Sequence, residues 1–124
     1  MGKRKLQAMS PAETEILRII WELERATVQQ IYEKLPTQRK IVYKTVLTMV
    51  RRLESKGYLK HESQGKANLY FAATKREEVL RRTVLDFVDR LFGGDPGPLV
   101  QFLAEDGRID ADEFNRLKKI IDKS

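Results

Sequence analysis

Lys44, Thr45, Thr48, Arg51, Arg52 and Ser55 recur at intervals that place them on one face of a helix turning 100° per residue. Val42, Val46, Met49, Val50 and Leu53 fill the opposite arc, and Tyr43, Leu47 and Glu54 lie on the boundary. An ordinary solvated helix face mixes Glu with Lys, whereas this one is short, hydroxylic and cationic. Hydroxyls and cations on one face make hydrogen bonds and charge contacts to a polyanion. The major groove of duplex DNA admits one α-helix, and base edges meet the side chains of its first two turns. On that geometry Lys44 and Thr45, with Tyr43 beside them, are expected to contact bases, and Thr48, Arg51 and Arg52 to contact phosphates.

Reactive chemistry finds no support in the chain. There is no Cys, which excludes disulfides and thiolate metal sites, and His61 is the only His, which excludes a His-based triad or a multi-His metal centre. No Gly-rich phosphate loop, nucleophile elbow or paired acidic site is present. The stretch Asp106-Gly107-Arg108-Ile109-Asp110-Ala111-Asp112-Glu113 has the spacing of the second half of a calcium loop. Its first and third positions fall on Phe102 and Ala104, which cannot ligate calcium, so it reads as a Gly turn followed by an Asp-capped helix. The expectation is a protein that is not an enzyme and holds no cofactor or metal.

The elements that must position the cationic face follow from caps and periodicity. Ser10-Pro11-Ala12-Glu13 is a capping box with Pro at the first helical position, opening a helix with Ala12, Ile16, Ile19, Ile20 and Leu23 on one face and Leu17 and Trp21 at its edge. Glu24-Arg25-Ala26 breaks the pattern. Thr27-Val28-Gln29-Gln30 is a second capping box, and Pro36 stops the helix that it opens. The basic helix is expected from about Val42 to Lys56, closed by Gly57. Two weakly alternating segments, 58–62 and 67–71, flank Ser63-Gln64-Gly65-Lys66 and predict a hairpin with a tight turn. Lys66 at its tip, with Gln64, is placed to touch the flanking DNA backbone, and Lys3, Arg4 and Lys5 are expected to form an arm that adds phosphate charge.

Thr74-Lys75-Arg76-Glu77 reads as a third capping box, starting a helix to about Phe92 that ends at Gly93-Gly94. Leu80, Val84, Phe87, Val88 and Leu91 form its main stripe, while Val79, Leu85 and Phe92 lie outside it. So broad an apolar surface on one helix of a small protein predicts burial against a second copy. Two shorter helices follow, one after Asp95-Pro96-Gly97-Pro98 and one capped by Asp110. The charge is divided accordingly: residues 1–74 hold 14 Lys+Arg against 7 Asp+Glu, and residues 75–124 hold 10 against 11. A basic half joined to a near-neutral half predicts a DNA-binding domain over 1–74 and a helical dimerisation domain over 75–124. No apolar run approaches the ~18 residues of a membrane span, and the basic N-terminus has no apolar signal region, so no membrane insertion and a cytoplasmic location are expected.

Three helices followed by a hairpin is the order of a winged helix-turn-helix, within a mainly α chain. The sequence resembles the BlaI/MecI/CopY family of bacterial winged-helix repressors. The resemblance rests on Ser10-Pro11-Ala12-Glu13 with Ile20-Trp21, then Thr45-Val46-Leu47-Thr48, Arg52-Leu53 and Lys56-Gly57, then Leu91-Phe92-Gly93-Gly94 and the acidic capped C-terminal helix. It implies a homodimeric repressor that binds a palindromic operator in double-stranded DNA, and the broad apolar surface of the fourth helix offers Leu80, Val84, Phe87, Val88, Leu91 and Phe92 as the dimer interface. It also implies a membrane-peptidase sensor as partner, since β-lactam-responsive members are cleaved between Asn and Phe in the first helix after the Gly pair. The aligned bond here, Phe102-Leu103, lacks that Asn. Copper-responsive members carry a C-terminal Cys cluster that this chain lacks, and the family's Ser or Ala N-cap before the third helix is Val42 here. The competing reading is a winged-helix module that assembles a protein complex without reading DNA.

Overall fold

The computed structural model describes residues 7–122, and the chain divides into two compact units after Arg76. The expected arm at Lys3, Arg4 and Lys5 lies outside the described residues.

In the first unit α1 (Pro11–Leu23), β1 (Arg25–Ala26), α2 (Val28–Lys34), a 3-10 turn (Thr37–Arg39) and α3 (Tyr43–Ser55) precede a hairpin of β2 (Leu59–Gln64) and β3 (Ala67–Ala72). Both capping boxes form. The Ser10 hydroxyl accepts from the Glu13 N–H at 3.2 Å while the Glu13 carboxylate accepts from the Ser10 N–H at 2.9 Å. Thr27 and Gln30 repeat the exchange at 3.1 and 2.9 Å. Leu35, as the residue before a proline, turns extended and ends α2. α3 closes as a Schellman motif: the Gly57 N–H donates to Glu54 O, the Tyr58 N–H donates to Leu53 O, and Gly57 takes φ +94°.

The break at Glu24-Arg25-Ala26 proves to be a strand. Arg25 and Ala26 pair antiparallel with Phe71 and Tyr70, giving a three-stranded sheet in the order β1-β3-β2. Two residues are too few to carry periodicity, so only the free edge of β3 reveals them. β2 pairs β3 from Leu59↔Ala72 to Gln64↔Ala67, leaving Gly65 and Lys66 as the loop. Gly65 has φ +62° and Lys66 does not share the sign, the requirement of a type II′ turn.

The core gathers Ile16, Leu17, Ile20, Ile31, Val46, Val50, Leu53, Leu59 and Tyr70, none more than 2% exposed. Leu17 is a correction to its expected place at the edge of α1. α1 packs against α2, α3, β1 and β3, so a second side of the helix is covered that a single apolar face does not disclose. Val42 is corrected in the other direction. Its azimuth matches that of Val46, but it lies a turn earlier, past the rim of the core, and it is 60% exposed.

The second unit is helical: α4 (Arg76–Phe92, entered from the first unit), α5 (Gly97–Asp106) and α6 (Ala111–Asp122). α4 starts two residues after the expected cap, and the Thr74 hydroxyl donates to the Gly57 carbonyl at 3.3 Å. Gly93 and Gly94 end it with positive φ, as expected. Asp95 accepts from the Gly97 N–H at 3.0 Å and Asp110 from the Glu113 N–H at 2.8 Å, which fixes the starts of α5 and α6. No helix among the described residues is long and apolar enough to cross a membrane.

Candidate nucleic-acid interface

α3 is anchored where its cationic face is not. At its C-terminal end Lys56 reaches back to α1, with Nζ 3.1 Å from both Glu13 carboxylate oxygens and 2.9 Å from the Ala8 carbonyl. The Glu13 side chain is almost fully buried, so the pair is screened little by solvent. Burial pushes the Glu13 carboxyl up, but hydrogen bonds from the Ser10 N–H and the Lys56 ammonium outweigh it and hold the carboxyl below its ordinary range. The Tyr58 hydroxyl donates to the Gln7 carbonyl, which ties the segment before α1 to the start of the hairpin.

The hairpin is fixed to its neighbours by side-chain contacts as well as by its ladder. His61 Nδ1 lies within hydrogen-bond distance of Glu54 Oε2, joining β2 to α3. Arg25 Nη1 donates to Glu62 Oε2 at 3.0 Å, and its guanidinium sits 4.9 Å over the Phe71 ring. These contacts occupy the two carboxylates closest in sequence to the helix face and the wing. Neither carboxylate pairs with Lys44, Arg51, Arg52 or Lys66.

Lys44, Thr45, Thr48, Arg51 and Arg52 are all exposed on α3, and Lys66 is exposed at the hairpin loop. Among the described residues no ion pair engages Lys44, Arg51, Arg52 or Lys66. Thr48 is different: its hydroxyl donates to the Lys44 carbonyl at 3.1 Å, so it can donate to a phosphate only after it rotates away. Tyr43 is 43% exposed and its ring meets Tyr32 edge-on at 6.0 Å. Val42, missed at the sequence level as a surface residue, forms the N-cap with no side-chain hydrogen bond. Its missing hydroxyl was the available signal: a helix whose N-cap cannot cap leaves its first N–H groups to solvent or to a ligand.

The apolar stripe of α4 separates into two kinds of residue. Val88 is 2% exposed and is already withdrawn from water within the chain, whereas Leu80, Phe87 and Leu91 are 38%, 41% and 64% exposed. Val84 and Phe92 are half-buried, and Phe92 packs edge-on against Phe87. Among the described residues no group of His, Asp and Glu side chains could hold a metal ion. One depression, about 470 Å³ and open to solvent, is lined by α1, α2, Pro36 and Arg76 and takes no residue of α3.

A family model described as Penicillinase repressor matches residues 9–123. The methicillin resistance regulatory protein MecI of Mammaliicoccus sciuri is 28% identical over 119 residues, covering 96% of this chain and 97% of that one. The solution structure of the DNA binding domain of the repressor BlaI is 28% identical, covers 60% of this chain and 90% of that one, and superposes with a TM-score of 0.52. The Bacillus licheniformis BlaI monomeric form, solved in complex with the blaP half-operator, is 26% identical over 61% of this chain and 93% of its own, also with a TM-score of 0.52. The fold shared with these neighbours is the winged helix; BlaI is named as a repressor and MecI as a regulatory protein.

Proposed function

The chain belongs to the penicillinase repressor family, and from that premise we propose that it is a DNA-binding transcriptional repressor acting as a homodimer on an inverted-repeat operator. The observation that carries this reading is the exposed hydroxyl-and-cation face of α3, whose Lys44, Arg51 and Arg52 make no ion pair among the described residues while Glu54 and Glu62 beside it have other partners. Lys44 and Thr45, with Tyr43, read bases; Thr48, Arg51, Arg52 and Lys66 hold phosphates. Each protomer occupies one half-site, with half-site centres ~34–36 Å or a multiple apart, and bound protein occludes polymerase. The exposed α4 residues Leu80, Phe87 and Leu91 join the two copies. A membrane-peptidase sensor as inducing partner rests on the family alone. The Phe102–Leu103 bond lies inside α5, so cleavage there requires local unwinding of that helix.

A binding titration on the chain's own upstream region tests the proposal. Affinity falls by roughly a thousandfold between 50 and 200 mM salt if six or more phosphates are held per dimer. Arg51→Ala weakens every duplex alike and lowers the salt slope by about 1, whereas Thr45→Ala weakens the preferred site selectively. A wild type that prefers no duplex overturns operator recognition and leaves a protein-assembly module instead.

A further inference from the structure

We infer that Val42 and Tyr43 form an apolar contact for the C5-methyl group of a thymine in each half-site, with Tyr32 positioning the Tyr43 ring. The inference deepens the operator-binding reading and rests on it.

Val42 stands in a place where valine has no structural reason to be. As the N-cap of α3 it makes no side-chain hydrogen bond, and valine ranks among the poorest caps. Nor does burial compensate, since 60% of its surface faces solvent. Tyr43, the next residue, is 43% exposed, and its ring meets that of Tyr32, 38% exposed, at 6.0 Å and 76°. An edge-on aromatic pair is a favourable geometry, so Tyr32 restrains where the Tyr43 ring can go. Three exposed apolar side chains thus sit at the leading end of the helix that enters the groove.

Their surroundings decide the occupant. Lys40 and Lys44 flank the pair in sequence and are exposed, while Glu33 on α2 accepts from the Gln29 side-chain amide at 3.0 Å. A cationic rim draws in a polyanion. Among the groups that base pairs show in the major groove, the thymine methyl is the apolar one; the others are hydrogen-bond donors and acceptors. An apolar contact at the tip of a cationic reading helix therefore has one complement on duplex DNA. Lys44 and Thr45 take the polar edges, and Val42 and Tyr43 the methyl.

The test starts from the duplex that the full chain selects out of a random pool. Each thymine is then replaced singly by deoxyuridine, which removes the methyl and nothing else. At one position in each half-site the wild type loses about fourfold in affinity per methyl. Val42→Ser discriminates the thymine and deoxyuridine duplexes less than wild type does, although its better-capped helix raises Tm by about 4 °C. That opposition separates a contact from damage to the fold. Tyr32→Ala blunts the methyl effect and Tyr32→Phe, which keeps the ring, preserves it. The inference is overturned if no replacement weakens wild-type binding, or if Val42→Ser retains the wild-type sensitivity. Failure to select any duplex overturns the operator reading as well, whereas selection without methyl dependence overturns this inference alone.

Discussion

The two units of this chain dispose of their apolar side chains in opposite ways. The first encloses most of its own: residues from α1, α2, α3 and the sheet meet with 2% exposure or less, and its exposed large hydrophobic side chains are Tyr32, Val42 and Tyr43, around the start of α3. The second buries Val79 and Val88 but leaves Leu80, Phe87, Leu91 and Phe102 between 38% and 64% exposed. Full burial of such a side chain contributes about 1.5–3 kcal/mol, so the second unit holds much of its hydrophobic free energy unrealised in a single copy. That contrast is what the proposed inverted-repeat binder needs: on that reading the first unit would select the half-site and the second would bring two copies together.

Leu91→Asp tests that contrast most severely. Leu91 is the most exposed of the α4 apolar residues, so a charge there does little to its own helix and much to a partner. Sedimentation of the full chain at micromolar concentration is expected to show a wild-type dimer and a monomeric variant. Operator affinity falls by about 10²–10⁴-fold, because the second half-site is no longer delivered at high effective concentration. Trp21, the single Trp, lies in α1 and reports the first unit alone, and its fluorescence melt is unchanged. A monomeric wild type contradicts the comparison at its root.

The reverse experiment unsettles the first unit and spares assembly. Glu13→Ala strands the Lys56 ammonium and removes half of the α1 capping box, a loss on the order of 3–5 kcal/mol read by Trp21 fluorescence at neutral pH. The ion pair also sets a pH dependence whose sign is fixed. The Glu13 carboxyl is held below its unfolded value of 4.5, so its contribution is present above that value and is lost as pH falls through the folded one. Wild type therefore loses more stability between pH 7 and pH 3 than Glu13→Gln, which keeps an acceptor for the Ser10 N–H but not the charge. Equal acid sensitivity in the two proteins shows that the pair contributes nothing measurable.

What the sequence disclosed and what it withheld divide along local and distant causes. Ser10 with Glu13, Thr27 with Gln30, Asp110, and Gly57 after α3 act within a few residues, and each boundary that they mark appears in the structure. The cationic face of α3 was legible for the same reason, since it is periodicity within one helix. Distant causes were hidden. Nothing near Glu13 announces Lys56, and nothing near Arg25 announces β3 or Glu62. Thr74 has the sequence of a cap, yet its hydroxyl donates to the Gly57 carbonyl, a partner set by the fold. Val42 has a core azimuth and a surface position because the core ends before it, a matter of extent that periodicity does not encode.

The smallest expected effect bears on how the first unit closes its sheet. Glu24 ends α1 at φ +69°, ψ −49°, a backbone conformation that a residue with a Cβ rarely adopts. Such residues cost on the order of 1–3 kcal/mol each, whereas glycine takes positive φ freely. Glycine also adds backbone freedom to the unfolded chain, which offsets about 0.5–1 kcal/mol of the relief. Glu24→Gly should therefore stabilise the first unit by a net amount on the order of 1 kcal/mol, seen as a higher Trp21 melting midpoint with no change in oligomeric state. The strain has an identifiable cause. Glu24 is the single residue between α1 and β1, and the chain must reverse there at once for Arg25 to face Phe71 and reach Glu62. If Glu24→Gly lowers the midpoint instead, the turn is held by the Glu24 side chain rather than by β1 pairing, and the closed sheet of the first unit depends on a local contact after all.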